Sequence, residues 1–150
     1  MKILRIASLL MLALLSLNAK ANSNHLNKSE LYCLAENIYH ESRGEPVAGQ
    51  IAVAQVTINR VNSKKFQKSI CEVVYAPNQF SWTRNKHKQI LNADAWLNSL
   101  IIAQVVILTH SKTKPKFTAT YFHAKHVNPS WTRRKQKVAV IGNHIFYASK

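Results

Sequence analysis

At 150 residues, 47% of them hydrophobic, the chain has the length of one domain with one core. Lys and Arg number 21 against six Asp and Glu, a formal charge of +15 that favours anionic partners: nucleic acid, acidic lipid headgroups, or a wall polymer carrying carboxylates and phosphates. Any carboxylate that moves protons must come from a very short list, and there is no glycine-rich phosphate loop.

Residues 1–21 read as a signal peptide. Lys2 and Arg5 precede an apolar run over residues 6–17, and Ala19-Lys20-Ala21 ends in a small-x-small cleavage pattern. The run falls short of the roughly 20 residues needed to cross a bilayer, so cleavage after Ala21 is expected. Removing Lys2, Arg5 and Lys20 lowers the charge from +15 to +12 in a single domain of residues 22–150. Export to the periplasm or the extracellular envelope argues against nucleic acid as the target. No later segment reads as transmembrane, so no stable membrane insertion is expected after cleavage. The oxidising compartment leaves Cys33 and Cys71 either as a disulfide or as buried free thiols. A bond would close a loop of about forty residues and contribute roughly 3–4 kcal/mol. Neither cysteine sits in a close Cys/His pair, so no zinc site is expected.

The elements follow in chain order. Asn27 with Glu30 three positions on fits an N-cap, and Leu31, Leu34, Ala35 and Ile38 recur at helical spacing. The spacing predicts a helix over residues 28–43, with Gly44 as its C′ residue. Pro46 suits the first turn of a second helix. There Val47, Ile51, Ala54, Ile58 and Val61 mark one stripe, and Ala48, Ala52, Val53 and Val56 widen it to most of the circumference. A helix apolar nearly all round is a buried one, so this should be the central helix. Residues 66–70 read as a loop, 71–75 as a short strand or a turn of helix, and Ala76-Pro77-Asn78 as a break. The apolar content of residues 93–110 predicts a long helix. Residues 118–123 predict a strand. Residues 138–141 and 145–147, joined by Gly142-Asn143, predict a hairpin. Helices first and a small antiparallel sheet later make an α+β domain.

Glu41 and Glu45 flank the break between the first two helices. A helix C-terminus presents unpaired carbonyls that disfavour an ionised carboxylate, and burial on the Leu34/Ile38 side acts in the same sense on Glu41. Glu45 lies ahead of a helix start, which favours its charge. Opposed environments of this kind let one of two carboxylates donate a proton at neutral pH. Glu41 is therefore expected to be a general acid with a raised pKa, and Glu45 to stay charged and hold Arg43. The bland alternative is two solvated helix-end charges. Residues 121–131 mix aromatic rings with His and Asn, chemistry suited to stacking on sugars and bonding their substituents. His123 and His126 lack a third ligand at matching spacing, so no metal is expected. His40-Glu41 does not continue into the zinc-protease helix motif, because position 44 is Gly, and there is no nucleophilic Ser elbow.

Several segments, taken in order, resemble the cell wall hydrolase family typified by SleB and CwlJ, the spore cortex-lytic enzymes. They are residues 34–45, ending Tyr39-His40-Glu41-Ser42-Arg43-Gly44-Glu45; Gly49-Gln50-Ile51-Ala52-Val53-Ala54; Asn59-Arg60-Val61; Cys71-Glu72-Val73-Val74-Tyr75; Gln79-Phe80-Ser81-Trp82; Tyr121-Phe122-His123; Pro129-x-Trp131; and residues 141–147. The resemblance spans roughly residues 31–147. It implies a lysozyme-like domain, helices against a small antiparallel sheet, that cleaves peptidoglycan between N-acetylmuramic acid and N-acetylglucosamine. The implied mode is lytic transglycosylation, and the family's catalytic glutamate falls on Glu41. Ser42 replaces the family's usual alanine. No separate wall-binding module is visible, and a sporulation role is not implied.

Under this resemblance Gln79, Ser81, Tyr121 and His123 would bind the sugar and its N-acetyl group, with Phe80 and Trp131 as apolar walls and Arg43 and Glu45 in support. The other acids, Glu30, Glu36, Glu72 and Asp94, lack a supporting polar motif, which favours one-carboxylate transglycosylation over hydrolysis. Neither route needs a cofactor, and a monomer is expected. A muramidase-type hydrolase, a noncatalytic peptidoglycan-binding protein and a cationic membrane-active protein are the rival readings.

Overall fold

The computed structural model describes residues 27–85, 89–110 and 116–150. The expected signal peptide lies outside these residues. Helix α1 is Lys28–Ser42, capped by Asn27, whose side chain accepts the Ser29 N–H at 3.1 Å. Glu30 does not close a capping box. Its carboxylate instead accepts the Ile70 N–H at 2.5 Å and holds the start of another helix. Gly44 follows the C-cap residue Arg43 but is not left-handed; the chain turns through the Glu45 N–H bonded to the Ser42 carbonyl at 2.9 Å.

Helix α2, Val47–Asn62, is the expected central helix, with Pro46 at its N-cap and buried residues on every side. It divides the core in two. Ala54 and Ile58 pack with Leu34, Ala35 and Ile38 of α1. Ala52, Val53 and Val56 turn the other way, toward Ala119 and Phe146 of the sheet side. Val47, in the first turn and expected on the apolar stripe, is exposed and belongs to neither cluster. Buried polar groups fix how α1 and α2 meet: Asn37 Nδ2 donates to Thr57 Oγ1 at 3.1 Å, and Trp82 Nε1 donates to Asn37 Oδ1 at 3.4 Å. Paired in this way, such groups avoid the cost of lone buried donors.

Helix α3, Ile70–Tyr75, settles the strand-or-helix alternative. Ser69 and Glu72 form a capping box there, and the Cys33–Cys71 disulfide ties α3 to α1. A 3-10 turn, Ser81–Arg84, follows the break, in which Asn78 takes a positive φ of 61°. Helix α4, Ala93–His110, buries Ser99, Ile102, Ala103 and Val106, with Ile102, Ala103 and Val106 in the α1–α2 core. By length and composition alone it could cross a membrane, a property the sequence reading did not assign to it. Its outer face leaves Leu97, Ile101, Val105 and Leu108 exposed.

The sheet has strands β1 (Tyr121–Ala124), β2 (Lys135–Ile141) and β3 (His144–Ser149), antiparallel in the order β1-β3-β2. A second 3-10 turn, Ser130–Arg134, leads into β2. The first strand starts three residues later than expected for a physical reason. Side chains of α2 take the carbonyls that a neighbouring strand would use: Asn59 Nδ2 donates to Phe117 O and Ala119 O at 2.8 and 2.9 Å, and Arg60 Nε donates to Thr120 O at 2.8 Å. The result is the expected α+β domain, with α2 between the helices and the sheet.

Candidate active site

Glu41 stands in the last turn of α1, half-buried, at the mouth of a cleft of about 240 Å³. The walls come from every layer: Arg60 from α2; Gln79, Phe80 and Ser81 at the entry to the first 3-10 turn; Phe122, His123 and Ala124 from β1; Val127; and His144 from β3. Glu41 is the single carboxylate among these lining residues.

Of the residues expected at the site, Gln79, Phe80, Ser81 and His123 share the cleft with Glu41. Phe80 is both wall and core, 4% exposed and 6.4 Å from the Phe122 ring. His123 has both ring nitrogens engaged, Nδ1 with Ala124 O at 2.9 Å and Nε2 with the Tyr147 hydroxyl at 3.1 Å. It therefore presents its ring more readily than a free nitrogen. Tyr121 and Trp131 are not among the lining residues. They pack on each other at 5.8 Å, Trp131 meets the cleft residue His123 edge-on at 5.6 Å, and Tyr121 acts electrostatically on the cleft residue Arg60.

The supporting pair departs from expectation. Arg43 does not meet Glu45; it bonds the Tyr39 carbonyl at 3.3 Å and lies over the Tyr39 ring at 4.9 Å. Glu45 instead accepts the Asn143 N–H at 2.7 Å and the Asn143 side-chain amide at 3.2 Å. The reason is geometric. The β2–β3 turn comes down on the α1–α2 connection, and its N–H groups satisfy the carboxylate better than a solvated Arg does.

Arg60 and His144 went unassigned in the sequence reading. Arg60 is 4% exposed, and Nη1 of its guanidinium is buried without a hydrogen-bond partner. Burial pulls it down to about 10, with the charges of Tyr121 and Glu41 acting against that fall. His144 is buried with Nδ1 unpartnered, and burial also lowers its pKa, opposed by Glu45 and assisted by His123. A signal for Arg60 was present: Asn59-Arg60 sits in a helix otherwise apolar all round, so a charge there had to be buried. Among the described residues no group of three or more His, Cys, Asp or Glu could hold a metal ion.

The catalytic domain of the germination-specific lytic transglycosylase SleB from Bacillus anthracis superposes with a TM-score of 0.68 at 26% identity, over 83% of this chain and 98% of that one. The catalytic domain of the Bacillus cereus SleB protein gives 0.63 at 27% identity, over 87% and 98%. The spore cortex-lytic enzyme of Oceanobacillus iheyensis is 29% identical over 122 residues, 80% of this chain and 42% of that protein. The chain thus spans less than half the length of the curated relatives it matches. With the Cell Wall Hydrolase family model matching residues 44–147, the chain belongs to the cell wall hydrolase family.

Proposed function

We propose that this protein cleaves the glycan strand of peptidoglycan between N-acetylmuramic acid and N-acetylglucosamine as a lytic transglycosylase, with Glu41 as acid and then base. One observation carries the reading: a lone carboxylate at a helix end, in a cleft walled by amide, hydroxyl and aromatic side chains. A hydrolase of the usual kind needs a second carboxylate across the scissile bond. Glu45, the nearest in sequence, is committed to Asn143.

The steps balance with one group. Glu41 gives its proton to the glycosidic oxygen, the muramoyl C1–O bond breaks, and the N-acetylglucosamine leaves with a free 4-hydroxyl. The Glu41 carboxylate then takes the proton of the muramoyl 6-hydroxyl as that oxygen attacks C1, closing a 1,6-anhydro ring. An intramolecular nucleophile is already positioned, which lowers the entropic part of the barrier. The carbonyl end of α1 favours the protonated acid before substrate arrives. Gln79 and Ser81 would bond the sugar substituents, and Phe80 and the His123 ring would bound its apolar face.

This activity fits an enzyme of the cell envelope. The basic charge of the chain suits an anionic wall, and residues 1–21 have the pattern of an export signal. Digestion of purified sacculi tests the reading. Anhydromuropeptides in the soluble fraction, identified by mass spectrometry and lost in Glu41→Gln, are expected. Reducing muramic ends without anhydro product would make it a hydrolase, and binding without release would make it a noncatalytic wall protein.

A further inference from the structure

We propose that Arg60 is a positioning residue of the Glu41 cleft, whose buried guanidinium stabilises the carboxylate left on Glu41 once the glycosidic oxygen has taken its proton. The inference rests on the reading of Glu41 as the acid. It begins from a group the fold has no evident structural need to keep charged. Arg60 is buried on α2, its guanidinium lies 5.5 Å from the Phe66 ring and 5.2 Å from the Phe80 ring, and Nε donates to the Thr120 carbonyl. Nη1 has no hydrogen-bond partner although it is shut away from solvent. A buried cation so incompletely paired is costly unless an anion faces it.

Two groups supply that attraction, Tyr121 and Glu41. Glu41 is the carboxylate of the two, and it becomes the anion facing Arg60 when it gives up its proton. Arg60 and Glu41 line one cleft from adjacent helices, and the other titratable groups facing it are His123 and His144 from the sheet. Neither histidine can supply negative charge. Arg60 itself keeps its proton at neutral pH even after burial.

The arrangement answers a demand peculiar to one-carboxylate chemistry. Glu41 must release a proton, survive as an anion while the sugar carries positive charge, and then take a proton back. A helix end alone favours only the first state. A fixed buried cation beside it favours the second, and a carboxylate balanced between the two can run both steps near its working pH.

The test is the pH dependence of the initial rate of muropeptide release from sacculi, for wild type, Arg60→Lys and Arg60→Met. Because the acid must be protonated, the rate falls as pH rises through the titration of Glu41. Without the cation that alkaline limb should move upward by about one pH unit, while on the acid plateau, where Glu41 is protonated in both proteins, the rate should fall by a few fold because the acid is weaker. Arg60→Lys should restore most of both. A rate loss with the limb unmoved would mean that Arg60 only props up the fold, and would overturn the inference. Wild type that releases nothing would instead overturn the catalytic reading. Should Arg60→Met not fold, thermal melts of wild type and Glu41→Gln at pH 7 decide. Loss of the facing carboxylate should lower the melting temperature, and a melt at or above wild type would refute the coupling.

Discussion

Glu45 accepts both the backbone N–H and the side-chain amide of Asn143, at 2.7 and 3.2 Å, across 98 residues of sequence. The contact clamps the β2–β3 turn onto the connection between α1 and α2, beside the cleft that holds Glu41. Gly142 makes the approach possible. Its φ is +56°, and a Cβ there would fall well inside contact distance of Glu45 Oε2 and 3.2 Å from Pro46 Cδ. Gly142→Ala should cost about 2–4 kcal/mol from the left-handed backbone and the clash. Glu45→Ala should cost about 1–2 kcal/mol from lost charge-assisted bonds on a partly exposed group. Since the clash needs the carboxylate, the double variant should lose less than the sum. Urea denaturation of all four proteins measures the coupling; strict additivity would show that the clamp is not formed.

Glu41 and Glu45 lie four residues apart and should respond differently. Glu41→Gln should reduce anhydromuropeptide release about 10²–10⁴-fold while the melting temperature shows a folded protein. Glu45→Gln, which acts through the hairpin turn, should reduce release by less than about tenfold and be read chiefly in stability. Equal losses in the two variants would contradict these separate roles.

The helices were legible because their signals are local. The 3.6-residue spacing of Leu31, Leu34, Ala35 and Ile38, the Asn27 cap and the all-round apolar surface of α2 are read within one turn or two. The hairpin was legible through Gly142-Asn143. What escaped depends on partners far along the chain. Glu30 looked like a capping residue and binds Ile70 N–H instead. Glu45 looked like a partner for Arg43 and serves Asn143. Ala119 and Thr120 looked like strand, and their carbonyls are taken by Asn59 and Arg60. In the cleft, the motif segments pointed to Glu41, Gln79, Phe80, Ser81 and His123. Arg60 carried a signal in its apolar helix that pointed to burial but not to a place in the cleft, and His144 is an ordinary polar residue in sequence that only packing shows to be buried.

The Cys33–Cys71 bond joins α1 to α3 and closes a loop with a separation of 38 residues. A loop of that length should contribute about 3–4 kcal/mol, mostly by restricting the unfolded chain. The Cys33→Ser, Cys71→Ser double variant should therefore unfold at markedly lower urea, while still digesting sacculi at a temperature where it remains folded. The cleft takes no lining residue from either cysteine, so loss of activity in the folded variant would show that α1 needs the crosslink to place Glu41.

His144 gives the fold an acid sensitivity with a definite sign. Its side chain is buried in β3 and burial lowers its pKa from 6.5, as burial also does for His110 in α4. The folded state then binds fewer protons than the unfolded one. Stability is full above pH 6.5 and is lost as pH falls through the folded values. Melting temperature should decline from pH 7 toward pH 5, and His144→Asn should flatten that decline without removing the part due to His110. Glu45 opposes the shift at His144 by supporting its protonated form. Glu45→Gln should therefore steepen the decline, even as it lowers stability at pH 7. A decline unchanged in both variants would place the acid-sensitive group elsewhere in the fold.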